Sequence, residues 1–249
     1  MLTNKFFKYL PFLISGWQVS SCILTYIIAV QKKHVYYLFP YISDTAAISP
    51  ESNIFGQCLN IGAAMMFIVL YVRYRQIDYD IRTKNIILNP IWNKIGIILG
   101  FTASLGVSLV GNFSELSVLS VHMLGAFIAF LGGNFYFIVQ TWISNVYFNS
   151  RCVKISKIVY YARLFIACLL IPLFISGSVF GSLSLERFHG KSILWWTEED
   201  GGYTFRLISV FSEWFSYLLT YVYVATFSSE FGDIESGEII FKYKESTKN

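Results

Sequence analysis

The chain has 249 residues; 55% are Ala, Val, Ile, Leu, Met, Phe, Trp, Tyr or Cys, and only 14% are Asp, Glu, Lys or Arg. A soluble domain carries about 25% charged residues and needs them to coat its surface. A soluble globule, a disordered chain and a disulfide scaffold are therefore excluded, leaving a polytopic, all-α membrane protein with a net charge of +4 to place.

A bilayer core takes roughly 20 apolar residues per helix, and six runs meet that need. Residues 9–30, 54–72 and 95–111 hold no charge. Residues 117–143 hold one His, 158–181 one Arg and 207–227 one Glu. The runs are continuous rather than alternating, which argues against a β-barrel. The first run follows Lys5 and Lys8 in the manner of a signal peptide. Its 22 apolar residues exceed a typical signal core and no clear A-x-A site follows, so it reads as an uncleaved anchor.

Six spans put both termini on one side of the membrane. Thirteen of the nineteen Lys and Arg fall in the segments on that side, 1–8, 73–94, 151–157 and 228–249. The N and C termini are therefore expected in the cytoplasm. The inner segments then carry a net +6 and the outer ones −2. This pattern suits anionic inner-leaflet lipid rather than nucleic acid. The expected unit is one six-helix domain over residues 1–249, with a mobile cytoplasmic tail at 228–249.

The outer loops, 31–53, 112–116 and 182–206, are too short for a soluble domain. Trp195 and Trp196 are expected at the membrane interface, and Glu198, Glu199 and Asp200 in a solvated loop. Asn112-Phe113-Ser114 matches the glycosylation sequon, but close to two membrane ends. Inner loop 73–94 mixes both charge signs. The tail contains Glu235 followed by Ile239-Ile240, a spacing similar to an endolysosomal sorting signal. Cys22, Cys58, Cys152 and Cys168 show neither disulfide nor metal spacing, so no metal or cofactor is expected. His34 and His189 read as exposed loop residues. No G-x-S-x-G, H-E-x-x-H or P-loop pattern is present, and a non-enzymatic role is expected.

Polar groups inside a span are costly and mark candidate sites. Gln57, Asn60, His122 and Glu213 all fall in the outer halves of their helices. Helical phase places His122, Gly125, Ala129, Gly132, Tyr136 and Gln140 on one face. Ser209, Glu213, Ser216, Thr220 and Tyr223 form a second stripe, and Gln57, Asn60 and Ala64 a third. Gln57, Asn60, His122 and Glu213 are expected to converge, holding a proton, a lipid head group or a small polar ligand, or else bonding the helices together. Arg163 lies near the other face and is expected to snorkel to the head groups. Gly96–Gly100 and Gly177–Gly181 are small-xxx-small pairs suited to close helix approach.

The first outer loop reads Phe39-Pro40-Tyr41-Ile42-Ser43-Asp44-Thr45, then Pro50-Glu51-Ser52-Asn53-Ile54-Phe55-Gly56. It resembles the signature of the DNA-damage-regulated autophagy modulator (DRAM) family within the Frag/DRAM/Sfk superfamily. The likeness continues at Gly111-Asn112-Phe113 with Glu115, at His122 with Gly125-Ala126, at Tyr136 with Gln140, and at Glu213-Trp214. Physically, Pro40 should push Phe39 toward extended geometry, Ser43, Asp44 and Thr45 should fold the loop through local bonds, and Ser52 or Asn53 should cap the second helix. The loop then reads as a helix-entry turn or as a lid over the Gln57–Glu213 set.

The resemblance implies a non-enzymatic protein of lysosomal or endosomal membranes that promotes autophagy, with membrane lipids and other membrane proteins as partners. Superfamily relatives imply an alternative, a lipid-organising or GPI-anchor-lipid-remodelling factor of the Golgi, ER or plasma membrane. A third reading is a small transporter using His122 and Glu213.

Overall fold

The computed structural model describes residues 4–150, 155–232 and 234. Seven α-helices follow in order: α1 Asn4–Gln31, α2 Glu51–Arg82, α3 Pro90–Asn112, α4 Leu119–Phe148, α5 Lys157–Glu186, α6 Tyr203–Ala225 and the one-turn α7 Ser228–Phe231. Among the described residues there is no strand. Six helices, the last spanning α6 and α7, are long and apolar enough to cross a membrane. Each packs on its neighbour in sequence, and α6 closes the ring against α1.

The helices overrun the apolar runs because charged residues continue them. The α2 helix has 32 residues, about 48 Å at 1.5 Å per residue, against a hydrocarbon core of about 30 Å. It absorbs most of the predicted inner loop, leaving only Thr83–Asn89 to reach α3. There Asn89 accepts from the Ile91 amide at 3.0 Å and Pro90 opens the helix. Ser156 likewise caps α5, accepting from Val159 N at 3.2 Å. At the start of α6, Gly201 and Gly202 take φ of +76° and +66°, a turn that disfavours a side chain.

Small residues set the helix spacing. Gly100 faces Leu70 and Tyr136, and Gly96 faces Gln140. Gly177 and Gly181 face Ser212 and Ser209 of α6. Backbones approach closely between α2 and α3, where a Cβ on Gly56 would lie 2.4 Å from the Gly111 carbonyl oxygen, and between α3 and α4, where one on Gly106 would lie 2.6 Å from the Ala129 nitrogen. The faces predicted for α4 and α6 turn inward, with His122, Gly125, Tyr136 and Gln140 buried, and Ser209, Ser216 and Tyr223 buried. The α2 expectation is corrected. Its buried face is Phe55, Gly56, Leu59, Gly62 and Ala63, whereas Gln57 and Ala64 are exposed. Glycine at 56 and 62 lets that face meet α3 and α1 closely, and the amides turn outward.

Ser228 donates to the Lys8 carbonyl, so the start of α1 and the end of α6 share one face, here termed the terminal face. The chain stays packed beyond the predicted boundary at residue 227, since Ser228 and Phe231 are buried. Glu235, Ile239, Ile240 and Cys152 lie outside the described residues.

Arg163 does not snorkel. It is fully buried, and its guanidinium pairs with Glu230 of α7. Arg73 of α2, also fully buried, reaches the same carboxylate at 2.7 Å. Arg163 further donates to Ser144 at 2.9 Å and Thr226 at 2.8 Å, while Arg73 donates to Gln140 at 3.2 Å and Gln76 at 2.7 Å. Both guanidiniums lie over the Phe227 ring, at 5.3 and 4.8 Å. A lone Arg in hydrocarbon would seek the head groups; this one has a buried carboxylate within reach, and pairing wins.

Glu230→Ala should leave two buried cations without a counter-charge and cost about 3–5 kcal/mol. Denaturant unfolding of the purified protein in micelles checks this, and a variant as stable as the wild type would contradict it.

Candidate functional site

The loop joining α1 to α2 folds onto the end of the bundle opposite the termini. Its centre is Asp44, 3% exposed, which accepts the Tyr41 amide at 2.9 Å and pairs with Arg206 at 2.5 Å. Arg206 sits on the first turn of α6 and is sandwiched between the Tyr41 ring at 4.8 Å and the Trp196 ring at 4.6 Å. Thr45 donates back to the Ile42 carbonyl at 2.7 Å and meets Thr25 of α1 at 3.3 Å. The Trp214 indole donates to the Pro40 carbonyl at 3.0 Å. The loop therefore lies across the bundle, held by α1, α6 and the α5–α6 connection.

Three local expectations are corrected. Phe39 is not extended but has φ of +49°, a conformation costing about 1–2 kcal/mol. Its ring packs on Phe211 at 4.6 Å, and the Trp214–Pro40 bond fixes the following residue. The α2 cap is Pro50, without a side-chain bond, rather than Ser52 or Asn53. The Asn53 amide donates instead to Ser49 at 3.2 Å, while Glu51 is buried and paired with His34. His34 is thus a partner of the loop rather than a solvated residue.

Glu213 accepts the Ile42 amide at 3.1 Å, so the sole acid in the predicted apolar runs is tied to the signature loop. His122 Nδ1 meets the Phe113 carbonyl at 2.8 Å. The two side chains line one apolar slot between α1, α2, α3, α4 and α6, but each bonds elsewhere. Gln57 and Asn60 border a different space, a polar recess of about 510 Å³ that His122 also lines. Asn60 and Asn112 exchange bonds at 3.0 Å in both directions, and Ser108 donates to Asn60 at 2.7 Å. The predicted set thus divides, with His122 on the wall between its halves. Asn112, the sequon residue, is the last residue of α3.

Several contributors escaped the sequence reading. Arg206 was counted as a loop charge, yet it continues the Ser209–Glu213 stripe one turn upward, a spacing that would have revealed it. Trp196 is 2% exposed and donates to the Gly201 carbonyl at 2.8 Å. It is thus an internal prop, while Trp195 remains 44% exposed. Glu198–Asp200 form a 3-10 turn in which Asp200 accepts from Thr197 N at 2.7 Å and Oγ1 at 2.8 Å, holding its carboxyl below the usual range. Glu115 lies against Asp44 and Ser43; burial first, and then the Asp44 charge, push it up to about 9. Among the described residues no His, Cys, Asp and Glu group could hold a metal.

The family profile described as "Frag1/DRAM/Sfk1/Cwh43P N-terminal domain" matches residues 6–234. The chain belongs to this family. It is 34% identical over 224 residues to mouse DNA damage-regulated autophagy modulator protein 2, covering 86% of this chain and 82% of that protein. It is 30% identical over 230 residues to human DNA damage-regulated autophagy modulator protein 1, covering 91% of each. Modulator of macroautophagy TMEM150B-B of Xenopus laevis is 35% identical over 135 residues, 53% of this chain and 55% of that protein. No solved structure matches. The loop that closes over Glu213 lies within the matched span.

A carboxyl whose pKa is raised on folding stabilises the fold while protonated. Its contribution is full below the ordinary value of 4.5 and is lost as pH rises through about 9. The melting temperature in nanodiscs should therefore fall over that interval, and Glu115→Gln should flatten the fall. Parallel curves for the two proteins would exclude Glu115 as the cause.

Proposed function

We propose that this protein is a non-enzymatic autophagy modulator of lysosomal or endosomal membranes. In this reading both termini are cytosolic and the signature loop faces the lumen. The observation that carries it is membership of a family whose relatives over most of the chain are named autophagy modulators.

The working parts are the loop and the polar groups it borders, Gln57, Asn60, His122 and Glu213, which would receive a membrane lipid. No covalent step is assigned to them. Basic residues of the terminal face would meet anionic lipid of the cytosolic leaflet, and Glu235 with Ile239 and Ile240 would direct sorting.

An internally tagged chain with a free tail should reside on endolysosomal membranes, and its deletion should lower autophagic flux. Replacing Ile239 and Ile240 with Ala should shift it toward the plasma membrane. Plasma-membrane residence of the wild type with unchanged flux on deletion would refute this proposal and favour lipid organisation at that membrane.

A further inference from the structure

The recess and the slot adjoin. Ser43, Phe55, Val110 and His122 line both. Their chemistries differ sharply. The recess is walled by amides and hydroxyls, among them Gln57, Asn60, Asn112 and Ser117, with His122 its sole titratable lining residue among those described. Its volume of about 510 Å³ falls in the usual range for small-molecule sites, roughly 300–1,000 Å³. The slot is walled mainly by apolar side chains and runs from His122 toward Tyr136, about 20 Å along α4. Its volume is about 130 Å³, enough for one slender apolar segment and not for a bulky body.

A polar chamber beside an apolar slot inside a bundle has the form of an amphiphile. The charges around the recess narrow the occupant further. The recess offers no cation to a phosphate and no carboxylate to an amine. A charged head would enter unneutralised, whereas a polyhydroxylated neutral head matches amides and hydroxyls group for group.

We propose that recess and slot together hold one neutral glycolipid, with its sugar in the recess and one alkyl segment in the slot. The second chain stays in the bilayer. This deepens the reading of Gln57, Asn60, His122 and Glu213 as a ligand site and rests on it, but is independent of organelle and of autophagy.

The test uses the purified full chain in phosphatidylcholine nanodiscs, prepared without glycoside detergent. Photoactivatable glucosylceramide is compared with photoactivatable sphingomyelin of the same chains, so that only the head differs. Glucosylceramide should label saturably, at least about fivefold over sphingomyelin, the worth of one net hydrogen bond. Unlabelled glucosylceramide should compete and free glucose should not. Gln57→Ala should weaken labelling roughly fivefold. Ser117→Trp, at an exposed turn, should block the recess. Gly133→Leu should fill the slot, since a Cβ there meets nothing within 4 Å.

Equal labelling by the two probes, displacement by glucose alone, or labelling unchanged in all three variants would overturn the proposal. Should Gly133→Leu not fold, the surface variant Ser117→Trp carries the test. The measurement is on purified protein, so its failure leaves localisation and flux as separate results.

Discussion

A charge in hydrocarbon must be paired, and that requirement organises both ends of this molecule. Arg206 at the start of α6 and Arg163 beside its end each meet a buried carboxylate, Asp44 and Glu230. Neither acid belongs to an apolar run. Asp44 comes from the loop and Glu230 from the one-turn helix after α6. Breaking either pair strands a buried charge at a cost of about 3–5 kcal/mol, so the segments supplying the acids are held as firmly as the helices. The first loop becomes part of the bundle, and α7 becomes part of the wall around Arg73.

The same requirement explains what could be read beforehand and what could not. Charge-free runs identify six helices because the bilayer admits nothing else, and the inward stripes of α4 and α6 follow from 3.6-residue periodicity alone. Helix ends are not legible in the charge pattern, because charged residues continue the helices into what reads as loop. Arg73, Asp80 and Arg206 are all helical and at most 7% exposed. Pairing between distant segments has no local signature; nothing near Arg163 announces Glu230, 67 positions away. The α2 face was misassigned because amides were presumed to point inward, whereas glycine at 56 and 62 makes close packing the stronger claim on that face.

Misassigning α2 also hid the division of the candidate site. With Gln57 outward, the amides near Asn112 face a recess at the bundle's end rather than its interior. Glu213, phased correctly, faces the interior and is closed off by the Ile42 amide. His122 can border both because it lies in the first turn of α4, where the short 113–118 connection folds beside the loop. Four residues from three helices thus form two adjoining environments, and their difference in polarity is a consequence of helix rotation rather than of composition.

The two environments are not equally secured. The slot's roof, Tyr41 to Asp44, is fixed by a buried ion pair and by bonds to Glu213 and Asp44 itself. The recess wall is lighter: from Ala47 across to the 113–118 connection runs a Ser114–Ala47 bond of 3.3 Å, worth about 1 kcal/mol net at best. Opening the roof requires separating Arg206 from Asp44, several times that cost. The recess wall therefore opens at far lower cost than the roof, a difference imposed by where the buried charges had to be paired.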